Sequence, residues 1–340
     1  MSKKKLKIGV VGGGNMGRVF STLLISLGYD VELVCRSNHR AIKIDNSYAF
    51  EVNGDFGDKS YLVPFVTSID ELTSKKDIII FATKSFDMLE RVNTCFHKLT
   101  PKGMIVTIQN VYSIDKLSGI IPPESSVCMI CDFACETVGK TTNVINSNGV
   151  TLGVYNKKAL ARMNLLADIL DEIMPVYITT DIVGFTMGRN IINGAISLLG
   201  GISGLRLNEI LGIRRGRYLF CKVIEECVQV CKRFRINIIP YNFQLDYTKF
   251  CCKNINGWLY RRRIIRVLKK LNGHIKSSAL HELERGERTE IRCLVDAMLC
   301  YGARAKIEMK YLKALDEILS EIESKKRRIN RNVLYDEKLK

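Results

Sequence analysis

The 340-residue chain holds six prolines, one tryptophan and four histidines. So little proline, beside 25 glycines that follow no short period, excludes collagen-like and proline-rich stalk architectures. No repeat of solenoid length runs through it. No stretch reaches the ~18 consecutive apolar residues that a membrane-spanning helix needs. The nearest approach, Ile191 to Leu205, is short, broken by Asn193 and four glycines, and flanked by Arg189 and Arg206. Acidic residues are also in short supply, 35 against 52 Lys plus Arg, which leaves a net charge of +17. Such an excess attracts anions, whether nucleic acid, acidic lipid or a phosphorylated small molecule. What is present in ordinary measure is apolar content, 46%, with 26% charged residues. That balance excludes a largely disordered chain and fits two or three globular domains of ~100–200 residues each.

Met1-Ser-Lys-Lys-Lys-Leu-Lys imitates the basic start of a signal peptide, but the following Ile8-Gly-Val-Val-Gly-Gly-Gly is too glycine-broken to be its apolar core. A cytoplasmic location is therefore expected, with the twelve cysteines kept as thiols. Cys128, Cys131 and Cys135 have the spacing C-x2-C-x3-C, yet no fourth ligand or nearby histidine accompanies them. They read as small hydrophobes at the end of a strand, with no metal expected.

Strand and helix patterns alternate in the first half. Lys7–Val11 is a short apolar run, Arg18–Leu27 is helical in pattern and ends at Gly28, and Tyr29–Cys35 is a second strand. Strand, glycine turn, helix and strand within ~30 residues make a βαβ unit. Further strands are expected at 77–83, 103–109, 126–131, 149–154 and 176–179, with an amphipathic helix over 160–174. From about residue 181 long helical patterns take over, at 183–200, 218–234, 257–271 and 290–324. The expected fold is α/β, an N-terminal Rossmann-like doubly wound sheet followed by an all-helical C-terminal domain. The boundaries are a nucleotide-binding domain over 1–180, a helical substrate and catalytic domain over 181–324, and a frayed polar tail over 325–340.

The glycine turn Gly12-Gly13-Gly14-Asn15-Met16-Gly17 has a mechanical reading. Gly12 permits a tight turn, Gly14 lets the backbone approach a pyrophosphate, and Gly17 lets the helix pack on the strand. The helix start supplies N–H groups and a dipole for the phosphates. At the end of the second strand, where an NAD site carries Asp or Glu, this chain has Arg36, with Arg40 nearby. Arg36 suits the 2′-phosphate of NADP(H), whereas Glu32 lies back inside the strand. Lys84 and Asn110 stand at the carboxyl ends of two further buried strands, where open α/β sheets bind ligands. In the second half Arg189, Asn193 and Ser197 recur at i, i+4 and i+8 and form one polar stripe on an otherwise apolar helix. Buried polar groups left unpaired cost ~1–3 kcal/mol each, so a stripe on such a helix either meets an anionic ligand or faces solvent.

These features converge on one family. The chain resembles the ketopantoate reductases (2-dehydropantoate 2-reductases) through Lys7–Gly17, Ala82-Thr-Lys84-Ser, Gln109-Asn110, Arg189-x-x-x-Asn193-x-x-x-Ser197, and Ser277-Ser278-Ala-Leu-His-Glu-Leu-Glu-Arg-Gly286-Glu-Arg-Thr-Glu290-Ile. The resemblance implies NADPH-dependent reduction of ketopantoate to pantoate, a step toward pantothenate and coenzyme A. It implies that Gly12–Gly17, Arg36 and Lys84 hold the cofactor, and that Asn110 lies between nicotinamide ribose and substrate. It further implies that Asn193, Ser197, Asn208 and Ser278 orient the substrate, and that Glu290 lies near the nicotinamide. Three positions depart from the family pattern. Arg189 stands where the family has its catalytic lysine, Val111 follows Asn110 in place of glycine, and Ser197 replaces the common asparagine. Arg189 stays charged and is a poor proton donor, so it can stabilise an oxyanion but not readily protonate it.

The expected partner is a small anionic 2-oxo acid, with a homodimer compatible and neither membrane nor nucleic acid expected. The alternatives are a reductase of another 2-oxo acid or imine on the same scaffold, or a catalytically impaired, basic cofactor-binding protein. The last rests on residues 251–280, which carry eight Lys or Arg and no Asp or Glu.

Overall fold

A computed structural model describes residues 6–36, 42–108, 119–145, 148–240, 245–271 and 276–340. Its contacts divide the chain into two compact units, Met1–Ile182 and Val183–Lys340.

In the first unit β1 (Lys7–Val11), α1 (Asn15–Ser26) and β2 (Asp30–Val34) form the βαβ unit that the sequence predicts, with β1 and β2 parallel and Lys7 opposite Asp30. Next come β3 (Ile42–Ile44), β4 (Ser47–Gly54) and β5 (Lys59–Val66), then β6 (Lys76–Phe81), α2 (Ser85–Val92) and β7 (Leu99–Thr107). The unit continues with β8 (Ser126–Cys131), β9 (Ala134–Val138), β10 (Thr141–Ile145), β11 (Val150–Gly153), α3 (Leu160–Leu170) and β12 (Val176–Ile178). The strand order is β12-β11-β8-β7-β6-β1-β2-β5-β4-β10-β9, with β3 paired to β4. The centre, β8-β7-β6-β1-β2-β5, is parallel throughout.

The apolar runs follow from burial on both faces. Ile78 and Ile80 of β6 pack with Val10, Val106, Phe20 and Leu23 on one side of the sheet. Ile79 and Phe81 pack with Val11, Ile105, Met88 and Val92 on the other. A strand covered on both faces has no reason to alternate polar and apolar residues. One side of the sheet then grows by strands that the sequence reading passed over. β4 runs antiparallel to β5, and β10 joins β4 in parallel with β9 antiparallel beyond it. Tyr48, Phe50 and Val52 of β4 are buried while their neighbours are not, the period-2 signature of a half-covered strand.

Among the described residues, three charged side chains lie inside this unit, Arg18, Glu32 and Lys76. Arg18 of α1 is 3% exposed; its guanidinium sits 4.8 Å over the Phe50 ring and donates to the Gly139 carbonyl oxygen at 2.8 Å. Lys76, fully buried, pairs with the Glu32 carboxylate, which also accepts from the Thr73 hydroxyl at 2.9 Å. Burial pushes the Glu32 carboxyl up, but the hydrogen bonds from Lys76 and Thr73 and the lysine's charge outweigh it and hold it below the usual range.

The second unit is helical: α4 (Ile182–Ser203), α5 (Leu207–Gly212), α6 (Arg214–Arg233), α7 (Tyr247–Phe250), α8 (Ile255–Leu271), α9 (Ser278–Glu284), α10 (Ile291–Ala305) and α11 (Lys310–Glu323). By length and composition α4 is apolar enough to cross a membrane, but 67% of its most apolar window is buried within the protein. The single helix expected over 290–324 is two. Lys306 adopts a left-handed conformation (φ 55°) and ends α10. The Glu226 carboxylate, from α6, then accepts the backbone N–H groups of Tyr311 and Leu312, both at 2.9 Å, and so caps the start of α11 from outside. Arg292 ties the two helices together through Asp316 (2.6 Å) and Glu323 (2.7 Å).

The segment 325–340 is not a frayed tail. It forms two short 3₁₀ turns, Arg331–Tyr335 and Glu337–Leu339, and buries Val333, Leu334 and Leu339. Arg327 pairs with Asp336, Lys338 reaches Glu321 at 2.7 Å, and Arg215 donates to the carbonyl oxygens of Leu334 and Leu339. Composition suggested fraying because three buried apolar side chains are few among so many charges, yet they are enough to dock so short a segment.

Candidate functional site

The glycine turn leaves β1 at its carboxyl end. Gly12 has φ +118°, and a Cβ there would meet the Ala82 carbonyl oxygen at 2.7 Å. Its N–H donates to the Val34 oxygen at 2.9 Å, and Ala82 N–H donates to the Val11 oxygen at 2.8 Å, so the turn is laced to both flanking strands. A Cβ on Gly17 would stand 1.7 Å from the Gly12 oxygen. Only hydrogen at Gly17 lets the helix start this close to its own strand. Gly14 differs: a Cβ there would meet nothing within 4 Å. No described residue fills the space that this glycine leaves.

Gly14 is also the N-cap of α1, with no side chain capping the helix and no acidic residue in its first turn. A helix start without a carboxylate, beside open space, suits an anion. Asn15 turns away from that space. Its amide donates to the Cys135 oxygen at 2.9 Å and accepts from the Thr137 hydroxyl at 2.8 Å, which pins the loop to β9.

The strand order β6-β1-β2 sets two cations beside this turn. Arg36 follows β2 and is exposed, and Lys84 follows β6 as the half-buried N-cap of α2. These residues fit a pyrophosphate and a further phosphate. Glu32, held by Lys76, is not at the strand end where a ribose hydroxyl would need it. Asn110, Val111, Gln109 and Arg40 lie outside the described residues. Cys35, beside Arg36, is a thiol: burial pushes it up to about 11, despite the opposing pull of the Arg18 charge. Burial likewise raises Cys128, and Cys135 to about 11. Among the described residues no group of three His, Cys, Asp or Glu could hold a metal.

In the second unit Arg189, Asn193 and Ser197 are half-buried along α4, with Arg189 Nη1 fully buried, while Ile191, Ile192, Ala195, Leu198 and Leu199 are buried. Close packing brings other expected site residues to this helix. A Cβ on Gly194 would meet Leu294 Cδ2 at 2.3 Å, which places the first turn of α10 against α4 beside Asn193. Glu290 precedes that turn, half-buried, with its backbone N–H donated to the Glu282 carboxylate at 2.9 Å. A Cβ on Gly200 would meet Ser277 Oγ at 2.9 Å, which places the start of α9 one turn beyond Ser197. There Ser277 is buried and caps α9, accepting from Leu280 N–H, whereas Ser278 is exposed. Asn208 lies in the first turn of α5, and its Oδ1 is buried with no hydrogen-bond partner among the described residues.

Two polar residues of α4 escaped the sequence reading. Thr186 and Asn190 are 2% and 3% exposed and form a second i, i+4 pair beside the first row. Thr186 Oγ1 is buried without a hydrogen-bond partner among the described residues. The signal was their spacing, hidden because they alternate with the stripe already counted. Tyr247 braces the same region by donating its hydroxyl to the Gly188 carbonyl oxygen.

Comparison with known proteins bears directly on this arrangement. Residues 8–157 match the family model "Ketopantoate reductase PanE/ApbA", and residues 181–323 match "Ketopantoate reductase PanE/ApbA C terminal". A 2-dehydropantoate 2-reductase from Pyrococcus abyssi is 25% identical over 318 residues, covering 89% of this chain and 93% of its own length. Among solved structures, a D-mandelate dehydrogenase with NADH and anilino(oxo)acetate superposes with a TM-score of 0.78 at 18% identity, covering 94% of this chain and 99% of its own. A PanE/ApbA family ketopantoate reductase from Ralstonia eutropha gives 0.77 at 17% identity, covering 95% and 100%. The two family models together span most of the sequence, one over each unit, and the chain belongs to the ketopantoate reductase family.

Proposed function

We propose that the protein reduces the 2-oxo group of a small 2-oxo acid, with NADPH as cofactor and ketopantoate as the first substrate to try. The observation that carries this reading is the half-buried row Arg189-Asn193-Ser197 on α4, with Ser277 and Leu294, the near neighbours in sequence of Ser278 and Glu290, packed against glycines of that helix. Bound NADPH supplies hydride to the carbonyl carbon. In the first unit, Gly14 gives the pyrophosphate its closest approach to backbone, and Arg36 takes the 2′-phosphate as a charge-assisted fork. In the second, Asn193, Ser197 and Ser278 orient the carboxylate and hydroxyl of the substrate. Arg189 faces the carbonyl oxygen and stabilises the negative charge that grows there. As a permanent cation it holds that charge but does not relinquish a proton. The proton is delivered by Glu290, directly or through water, and the pH dependence of kcat then follows that carboxyl.

Purified protein, NADPH and ketopantoate provide the test, read as loss of nicotinamide absorbance. Turnover that disappears in Arg189→Ala supports the assignment. Full activity in that variant removes Arg189 from the site. A second reading, reduction of a different 2-oxo acid, is favoured by Arg189 and Ser197 themselves. Both change the chemistry offered to the substrate, whereas the glycine turn keeps its full pattern. A panel of 2-oxo acids with aromatic and aliphatic side chains separates the two readings by kcat/KM.

A further inference from the structure

The net charge of +17 is not consumed by the site above. Part of it converges on a groove of about 670 Å³ in the second unit, lined by α6 and α8 with Leu211 of α5. From α6 come Arg214, Arg217, Tyr218 and Lys222; from α8 come Trp258, Arg261, Arg262, Arg266 and Lys269. Glu225 is the one acid in the lining. Residues 258, 261, 262, 265, 266 and 269 recur at helical spacing, so α8 offers one continuous face to the groove.

Three of the cations are already engaged. Lys222 pairs with Glu225 at 2.8 Å. Arg217 donates to the Leu211 and Gly212 carbonyl oxygens at 2.9 and 2.8 Å, and Arg261 to those of Phe250 and Cys252, both at 2.7 Å. The other four, Arg214, Arg262, Arg266 and Lys269, are exposed and meet no carboxylate among the described residues. Arg214 also opens α6, whose first turn carries no acid, so a cation stands at the positive end of the helix dipole. That placement is unfavourable unless an anion joins it. Trp258 is 47% exposed with the Arg262 guanidinium 5.3 Å over its ring.

We propose that this groove binds a nucleoside polyphosphate, its phosphates taken by Arg214, Arg266 and Lys269 and its base laid against the Trp258–Arg262 pair. A concave volume of this size matches a single ligand of nucleotide dimensions rather than a duplex, since ligand pockets run ~300–1,000 Å³. An indole with a guanidinium beside it is a stacking platform for a base, which simple phosphate does not need.

The chain has one tryptophan, so its fluorescence reports on this groove alone. ATP titrated into the full-length protein should change Trp258 emission saturably. The double variant Arg266→Glu with Lys269→Glu should weaken that binding at least ~10-fold, because it removes two charge-assisted contacts to phosphate and puts like charge in their place. Both residues are exposed, and an unchanged melting curve confirms folding. The response should persist in Gly14→Ala, which separates it from the dinucleotide turn, and inorganic tripolyphosphate should bind more weakly than ATP. By calorimetry Trp258→Ala should also weaken ATP binding. Absence of a saturable change, survival of the affinity in the charge-reversed variant, or tripolyphosphate binding as tightly as ATP overturns the proposal. Displacement of ATP by a short single-stranded RNA at far lower phosphate concentration overturns it in favour of an extended nucleic-acid track.

Discussion

Replacing Gly14 and Gly17 separately by alanine tests the reading of the glycine turn more sharply than deleting the turn. At Gly14 the backbone has φ −75° and ψ −172°, open to any residue, and an added Cβ meets nothing within 4 Å. Folding should therefore be insensitive: the stiffer alanine gains ~0.4–1 kcal/mol through the unfolded chain, and its poorer N-cap propensity loses a similar amount. If a phosphate occupies that space, the methyl group displaces it and forfeits charge-assisted hydrogen bonds of ~1.5–3 kcal/mol, a loss of roughly 10- to 150-fold in NADPH affinity. At Gly17 the methyl would lie 1.7 Å from the Gly12 oxygen, so backbone must move. Overpacking of that kind costs ~1–3 kcal/mol or more, and stability should fall along with affinity. Thermal melts and NADPH titration monitored by nicotinamide fluorescence measure both quantities. A Gly14→Ala protein that binds NADPH as tightly as the parent refutes the cofactor assignment, and one that unfolds refutes the claim that the space is open.

Arg189→Ala should lower kcat by ~10²–10³, the usual effect of removing one oxyanion-stabilising donor, while Arg189→Lys keeps or raises it; steady-state kinetics with the best 2-oxo acid reads both. Arg36→Ala should raise KM for NADPH ~10-fold, the lower end for an exposed charged hydrogen bond, and leave KM for NADH unchanged; equal effects on both cofactors exclude contact with a 2′-phosphate. Lys76→Met should destabilise the first unit by ~3–5 kcal/mol because it strands a buried carboxylate, and Glu32→Leu added to it should restore most of the loss in urea unfolding. The same carboxylate sets an acid dependence. Its folded-state pKa lies below the ordinary 4.5, so its stabilisation is present above about pH 4.5 and disappears as pH falls below it. A Glu32→Gln variant should show a shallower loss of stability in that range.

The parallel centre of the sheet was legible because strands buried on both faces leave apolar runs that no other element explains. β1 and β8 fall on their expected residues. β4, β5, β9 and β10 were passed over, although Tyr48, Phe50 and Val52 alternate as a half-covered strand should. A three-residue alternation is a weak signal, and what recruits it is tertiary: Arg18 and Asn15 of α1 reach across to Phe50, Gly139 and Cys135. The break between α10 and α11 was illegible for a similar reason. Nothing in Lys306 as a residue type announces a left-handed turn, and the cap on α11 comes from Glu226, more than eighty positions earlier. The polar row of α4 was readable from spacing alone. Its closeness to Ser277 and Glu290 was not, because that depends on Gly194 and Gly200 admitting two other helices.

Two of the three departures from the family pattern, Arg189 and Ser197, fall on the α4 row to which the proposed function assigns the substrate. The turn proposed to receive the pyrophosphate keeps its full glycine pattern, and Gly12 and Gly17 are each enforced by backbone within 3 Å. A change there would be felt by the fold itself. The α4 row is only half-buried at Arg189, Asn193 and Ser197, and no backbone clash like that at Gly12 and Gly17 fixes those side chains. An arginine at position 189 thus fits the proposed substrate role of α4, in a unit whose packing leaves that row open to change. It also fixes the acid–base problem. A lysine can hold the oxyanion and protonate it; an arginine, charged at every accessible pH, can only hold it. The proton then comes from another group or from water, and Glu290, which directly precedes the helix packed on Gly194, is the carboxylate proposed for it. If Arg189→Lys frees kcat from the pH dependence that Glu290→Gln abolishes, the lysine has taken back the proton transfer. If both variants keep the parental pH profile, the proton comes from solvent and Glu290 has only a positioning role.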